Sequence, residues 1–183
     1  LKNKIITKKI INSHNIFKND PGMPKEWCNS TQLDWFSPYG ISCFSYSVIG
    51  WLFYVFFNTS YIFSTYPIPI PILLHIFVLT TQSLFSFMGD VVYKKKKNVW
   101  HTIDRFSAVF NIIFLAANIV WVSNIEKYIF LFGIINGIYI FKKSRKYRKE
   151  LNINKYAYYH TLWHLILPFY LLIWIVYREL FIN

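Results

Sequence analysis

Residues 156–177 read YAYYHTLWHLILPFYLLIWIVY, and this stretch decides the fold class. It holds 22 residues, and none of them is Asp, Glu, Lys or Arg. A helix needs about 20 apolar residues to cross a membrane, because each residue rises about 1.5 Å through a hydrocarbon core about 30 Å thick. A strand of a membrane barrel would instead alternate in polarity over about ten residues. The stretch therefore predicts a membrane-spanning helix.

Four further apolar runs precede this one, and the composition of the whole chain agrees with them. The runs lie at residues 41–63, 70–93, 99–122 and 125–141. Hydrophobic residues make up 55% of the chain and charged residues 15%, whereas soluble domains are about 25% charged. This composition excludes a soluble globular enzyme, a disordered tail and a disulfide-stapled secreted module. We expect an all-α, multi-pass transmembrane bundle of about five spans over residues 41–178. A basic polar segment with an interfacial stretch (1–40) precedes it, and a short tail (179–183) follows.

Basic residues concentrate in three places: the segment 1–40, the run Lys94–Lys97 and the stretch 142–155. With five spans, all three places lie on one face of the membrane, as the positive-inside rule requires of short loops. The N-terminus then lies on the positive face and the C-terminus on the opposite face. The net charge of +12 follows from this topology, so we expect no nucleic-acid partner. Lys94–Lys97 is interpreted as a solvated loop.

Three of the runs carry polar side chains at membrane depth, where a charged group costs about 2.5–3.5 kcal/mol. The second run carries Thr80, Ser83, Ser86 and Asp90, the third His101, Asp104, Asn111 and Asn118, and the fifth Tyr156, His160 and His164. The spacings put each set on one helix face, so each stripe must face a partner helix or a wet cavity. In the predicted topology, the titratable side chains of the three stripes meet at one level just inside the positive face.

His160 and His164 are four residues apart, the spacing at which two histidines of one helix can bind a single metal ion. A carboxylate from another helix would supply a third ligand or orient a water molecule, and an open fourth position would make the site hydrolytic. The alternative is a metal-free polar network, in which the same side chains hydrogen-bond to one another and fix the packing of the helices.

These motifs resemble the CREST superfamily, which includes alkaline ceramidases and progestin/adiponectin receptors. The similarity lies in Ser86-Phe87-Met88-Gly89-Asp90, in Asp104, and in His160-Thr161-Leu162-Trp163-His164. The resemblance implies zinc held by His160 and His164 and hydrolysis of a lipid amide, with Asp104 assisting the attacking water and Ser86 close by. The superfamily has a histidine at the position of Asp90 and is usually seven-span. Asp90 therefore replaces that ligand, His101 supplies it from the next helix, or the zinc site is lost.

Two functions are compatible with these residues. The first is a zinc-dependent hydrolase of a lipid amide or ester, in which Asp104 takes a proton and Ser86 stabilises the oxyanion. The second is a non-catalytic accessory subunit of a large mitochondrial or plastid membrane complex, which keeps the fold for structural roles. In both cases we expect an integral protein of a mitochondrial, plastid or ER/Golgi membrane. Its partners would be membrane lipids and other membrane subunits. Gly133-x-x-x-Gly137 predicts close packing of the fourth span.

Overall fold

The computed structural model of the protein describes residues 23–59, 72–94, 99–118 and 122–181. These residues form helices joined by turns, and no β-strand occurs among them. Helices suit such apolar runs because each backbone N–H and C=O then finds a partner within its own segment. The all-α prediction is confirmed.

Apart from the C-terminal end of α5, the long helices begin and end within a few residues of the ends of the apolar runs. In chain order they are α1 (Pro38–Ser42), α2 (Ser45–Thr59), α3 (Ile72–Phe87), α4 (Val99–Asn118), α5 (Asn124–Lys149) and α6 (Ile153–Phe181). Two 3-10 turns, Lys25–Trp27 and Thr31–Leu33, come before α1, and a π-helical turn, Met88–Val92, extends α3.

Two segments within the described ranges are long and apolar enough to cross a membrane, Thr31–Phe56 and Ile153–Arg178. They contain most of the first and the fifth predicted spans. The α-helical part of α3 has 16 residues, and α4 and α5 carry charged side chains within their length. Membrane crossing by those three helices is therefore part of the proposal made below.

Helix α6 lies at the centre of the bundle. It packs along α5 on one side and against α1 and α2 on the other, while α2 packs on α3, and α3 on α4. The main core consists of apolar side chains from α2, α3, α5 and α6, together with Val122. Its buried members are Tyr46, Ile49, Phe53, Leu79, Val122, Phe130, Leu167, Leu171, Trp174 and Ile175. Helices α4 and α5 approach each other at few points, and a cavity lies between them.

Gly133 allows α5 to approach α6 closely, whereas a Cβ atom at position 137 would make an ordinary van der Waals contact. A Cβ atom at position 133 would lie 3.0 Å from the Tyr170 side chain, and one at position 137 would lie 3.6 Å from the Trp163 ring. Asn136, between the two glycines, donates a hydrogen bond to the Tyr170 hydroxyl at 2.7 Å. The predicted close packing of this helix is confirmed.

Helix α5 is longer than the fourth predicted span. The sequence predicts that the span ends at residue 141 and that a basic loop runs to residue 155, but the helix continues to Lys149. Its connection to α6 is only residues 150–152. The prediction of a long basic loop is wrong. The basic residues mark where the apolar sequence ends, but the helix continues through them. Basic side chains on the last turns are also favoured by the carboxyl-terminal end of the helix dipole.

Lys94 is buried, so its interpretation as part of a solvated loop is wrong. Its ammonium group donates a hydrogen bond to the Leu33 carbonyl at 2.9 Å and lies 3.4 Å from the Asp34 carboxylate. These contacts connect the chain after α3 to the second 3-10 turn, and a paired ammonium can be buried at lower cost than a lone one. The other lysines of this run lie outside the described residues.

The described part of the N-terminal segment folds over the end of the bundle at which α6 begins. Met23, Trp27 and Leu33 are buried there and pack in one cluster with Val91 and Tyr156. Trp27 and Tyr156 bring their ring centroids to 5.4 Å. Residues 23–40 therefore pack on the same end of the bundle as the polar side chains of α3 and α6, while residues 1–22 lie outside the described residues.

A buried ion pair closes the opposite end of the bundle. Oε1 of Glu126 accepts hydrogen bonds from Nε of Arg178 at 2.5 Å and from the Trp174 indole N–H at 2.7 Å. Oε2 of Glu126 accepts from the Ser123 N–H at 2.7 Å, which completes a capping box at the start of α5. Glu126 and Arg178 both have fully buried side chains. The sequence does not predict this pair, because it depends on how α5 and α6 pack.

Candidate metal centre

The π-helical turn at the end of α3 positions Asp90. The Met88 carbonyl accepts a hydrogen bond from the Tyr93 N–H at 2.9 Å, which is the wide spacing of a π turn. Such turns are frequent at functional sites. Gly89 makes a close approach to α4 feasible, since a Cβ atom at that position would lie 3.2 Å from Nδ1 of His101. His101 therefore packs directly on the backbone of the turn that carries Asp90.

Two histidines of α6 converge on Asp90. Oδ2 of Asp90 lies 2.9 Å from Nε2 of His160 and 3.2 Å from Nε2 of His164. The His160 side chain is 12% exposed and the His164 side chain 1%, so bulk water has little access to either ring. Tyr39 stacks on the His160 ring with 5.0 Å between centroids, and the Ser144 hydroxyl lies 3.3 Å from Nδ1 of His160. The position of the His160 ring is thus determined from three sides.

Pro168 in α6 leaves the backbone carbonyl of His164 without its usual helical donor. Pro168 lies inside the helix and has no N–H to donate to the carbonyl four residues earlier, which is that of His164. The Ser45 hydroxyl of α2 donates a hydrogen bond to this carbonyl at 2.6 Å. Replacement of a lost backbone donor by a serine of a neighbouring helix is a known way in which membrane helices accommodate proline. The ring atom Nδ1 of His164 is buried and has no hydrogen-bond partner among the described residues.

Asp104 belongs to a second chain of hydrogen bonds, beside the histidines. Its Oδ1 accepts from the Ser86 hydroxyl at 2.5 Å and from the Gln82 side-chain amide at 2.8 Å. Asn111 donates to the Gln82 carbonyl oxygen at 2.9 Å. Four polar side chains of α3 and α4 thereby hold one another in place. Ser86 is completely buried and serves in this structure to orient Asp104.

The structure also revises the predicted stripe on α3. Thr80 is exposed, so its inclusion in the buried face is wrong. Gln82 occupies that face instead and is 2% exposed. Gln82 is absent from the predicted stripe, although it lies four residues before Ser86 and eight before Asp90, which is the spacing of one helix face. Ser83, as predicted, is buried, and its hydroxyl accepts the Ser47 N–H at 2.8 Å.

A cavity of about 270 Å³ adjoins these groups between α4 and α5. Its wall includes four of the predicted site residues, Asp90, His101, Asp104 and His160. His164 does not line the cavity, but its Nε2 lies 3.2 Å from Oδ2 of Asp90, which does. The structure therefore places three predicted residues in direct contact, Asp90 with both histidines, and puts Asp104 and His101 on the wall of the same cavity.

Two of the separations between candidate donor atoms are close to the ligand spacing of a zinc site. In a tetrahedral site with Zn–N bonds of about 2.0–2.1 Å, two ligand atoms are separated by about 3.3 Å. The distances from Oδ2 of Asp90 to the two histidine nitrogens are 2.9 and 3.2 Å, so small side-chain movements would admit an ion. Cys43 is a further donor, absent from the predicted site, and its Sγ lies within 4.8 Å of ligand atoms of Asp90 and His164. No pattern on the sequence connects Cys43 to a histidine more than a hundred residues away; only the packing of α1 against α6 does.

The chain matches no protein-family model, no curated protein and no solved structure. The resemblance to the CREST superfamily therefore stays a prediction that rests on the motif residues themselves.

Proposed function

We propose that the protein is a multi-pass membrane hydrolase of CREST-like type that uses zinc to cleave an amide or ester bond of a lipid. In this proposal His160, His164 and Asp90 hold the zinc ion. The observation that carries the proposal is the convergence of two histidine nitrogens on one carboxylate oxygen beside a cavity. Asp90 is preferred to His101 as the third ligand because it lies within 3.2 Å of both histidines.

The five-span topology is part of the same proposal. Large apolar side chains are exposed on the outward faces of all five long helices, and examples are Trp51, Phe77, Phe110, Phe132 and Phe169. Exposed apolar surface on this scale needs a covering, and lipid is the covering that the composition favours. The basic ends of the helices would then lie on one face, with the histidines just beneath it.

Each group at the site has a distinct task in hydrolysis. A zinc ion, when bound, supplies a Lewis acid and lowers the pKa of a coordinated water to about 7. Asp104 faces the cavity with Oδ1 held by Ser86 and Gln82, and its carboxylate accepts the proton of the attacking water. Tyr39 and Ser144 keep the His160 ring in place. Ser86 orients Asp104, and its predicted role as an oxyanion donor would require its hydroxyl to leave that carboxylate.

The proposal is tested on the purified full chain with His160→Ala and His164→Ala, with His75→Gln as the matched control. His75 is buried at a different level of α3 between the rings of Phe53 and Phe114, so its replacement should leave zinc content and turnover in place. We expect the two α6 variants to lose stoichiometric zinc, measured by mass spectrometry of the metal, and turnover of any lipid amide or ester that the wild-type protein cleaves, a ceramide-like amide being the first to try. Turnover that survives His160→Ala would refute the zinc hydrolase.

A second function, that of a non-catalytic accessory subunit, is favoured by one specific observation. Most of the polar groups already pair with one another: Asp90 contacts both histidines, and Asp104 accepts from Ser86 and Gln82, although Nδ1 of His164 has no partner among the described residues. Such a network can fix helix packing with no metal. In that case the wild-type protein would contain no zinc and show no turnover, and His160→Ala would lower the thermal stability of the bundle or its retention in a membrane complex.

A further inference from the structure

Cys43 follows the last residue of α1 and lies beside the candidate metal centre. It is completely buried. Its Sγ lies within 4.8 Å of a ligand oxygen of Asp90 and of a ligand nitrogen of His164. Three side chains that can each bind a metal ion therefore meet inside the bundle, and they come from three separate parts of the chain: the end of α1, the π turn after α3, and α6.

Cys43 and His164 both have an electron pair to offer a metal ion. The Cys43 thiol donates a hydrogen bond to the Tyr39 carbonyl at 3.7 Å, and a thiol is a weak donor. Nε2 of His164 lies 3.2 Å from Oδ2 of Asp90, but Nδ1 of the same ring is buried and has no hydrogen-bond partner among the described residues. A buried polar atom left unpaired costs about 1–3 kcal/mol. His164 can therefore give one nitrogen to an ion while its other nitrogen faces Asp90.

The position of the Cys43 sulfur suits a tetrahedral metal ion. With a Zn–S bond of about 2.3 Å and a Zn–N bond of about 2.0–2.1 Å, such an ion separates the sulfur from a ligand nitrogen by about 3.6 Å. Because Sγ of Cys43 already lies within 4.8 Å of the other ligand atoms, a shift of at most about 1.2 Å would bring it to that distance. Cys43 is therefore close enough to bind the ion that Asp90 and His164 would hold.

We infer that Cys43 binds the ion of the candidate metal centre as a thiolate, in addition to the three ligands proposed above. Its thiol releases a proton to solvent when the sulfur binds the ion. This inference rests on the proposed function, because it adds a ligand to the same centre. A set of thiolate, imidazole and carboxylate ligands favours zinc over Mg²⁺, which needs oxygen ligands. Four protein ligands leave no open position, so the proposed hydrolysis requires Cys43 to give way to a water molecule.

The test is an absorption spectrum and needs no substrate. The full chain is purified in nonionic detergent with a phosphine reductant, freed of metal with a chelator, and titrated with Co²⁺ as a coloured substitute for zinc. A thiolate bound to Co²⁺ gives an intense sulfur-to-metal charge-transfer band in the near ultraviolet, which nitrogen and oxygen ligands do not give. We expect the wild-type protein to show this band with stoichiometric Co²⁺, and we expect excess Mg²⁺ to leave it unchanged.

Cys43→Ser should abolish the band, and Cys28→Ser is the matched control. Cys28 is also a free cysteine and is buried in the same cluster as Cys43, but its thiol donates to the Pro24 carbonyl at 3.5 Å. The band should therefore survive in Cys28→Ser. Cys43→Ser should also weaken zinc binding by about 10–100-fold, since even the loss of a hydrogen-bond partner of a ligand has an effect of that size.

Three results would overturn the inference. The first is a wild-type protein that binds Co²⁺ with visible d–d bands but without the charge-transfer band, and this arm needs no variant that folds. The second is a charge-transfer band that persists in Cys43→Ser or disappears in Cys28→Ser. The third is displacement of the bound Co²⁺ by Mg²⁺, which would indicate a site of oxygen ligands.

The outcome is separable from that of the proposed function. A charge-transfer band that depends on Cys43, in a protein without turnover, would retain the thiolate ligand and overturn the hydrolase, and the ion would then have a structural role. Turnover by the zinc-loaded protein, with no charge-transfer band in its Co²⁺ form, would retain the hydrolase and overturn the thiolate ligand. A protein that binds neither Co²⁺ nor zinc would overturn both.

Discussion

The hydrogen bond between Ser45 and the His164 carbonyl should depend on Pro168, and this dependence can be measured. Because Pro168 removes the helix's own donor, Ser45→Ala leaves a half-buried carbonyl without its partner, which costs about 1–3 kcal/mol. In a Pro168→Ala background the N–H of residue 168 can reach the His164 carbonyl. Ser45→Ala should then cost only a few tenths of a kcal/mol. The expected coupling energy is about 1–2 kcal/mol, a factor of roughly ten in the folding equilibrium.

The assay is a double-mutant cycle on the free energy of unfolding, from dodecyl sulfate titration in mixed micelles followed by far-UV circular dichroism. Ser47→Ala is the control, because the described contact of Ser47 with α3 is made by its backbone N–H and survives the change. The proline ring also packs in the bundle, so Pro168→Ala carries a cost of its own, which cancels in the cycle. If Ser45→Ala costs the same in both backgrounds, the hydroxyl does not replace the missing N–H and the reasoning fails.

Two further predictions address the opposite end of the bundle and the topology. Arg178→Met should destabilise the protein by about 3–5 kcal/mol, because it leaves a buried carboxylate without its partner. Adding Glu126→Gln should recover much of that loss in the same unfolding assay. A recovery of zero would mean that the pair does not act as a unit. For the topology, cysteines placed singly at Lys97 and at Lys149 should be labelled by an impermeant reagent from the same membrane face, and one at Asn183 from the other. If the cysteines at positions 97 and 149 are labelled from opposite faces, the five-span arrangement is wrong.

The helical class could be predicted from the sequence because it depends on local composition. Long apolar runs with few charged residues favour helices, which pair the backbone within each segment. Close packing at Gly133 follows from its lack of a side chain. The ends of the helices were harder to predict. Basic residues after position 141 mark where apolar sequence stops, yet the backbone of α5 continues as a helix to Lys149, since lysine and arginine are good helix formers.

The sequence by itself determined which polar residues needed a partner, since Asp90, His160 and His164 stand in apolar stretches where a lone polar group is costly. Only the tertiary structure decided which atoms meet. The π turn aims Asp90 at α6, Ser45 replaces a donor that Pro168 lacks, and Cys43 comes within 4.8 Å of the ligand atoms of Asp90 and His164. These pairings join residues far apart in the chain. They depend on helix rotation and on distances of a few ångström, which hydrophobic periodicity does not specify.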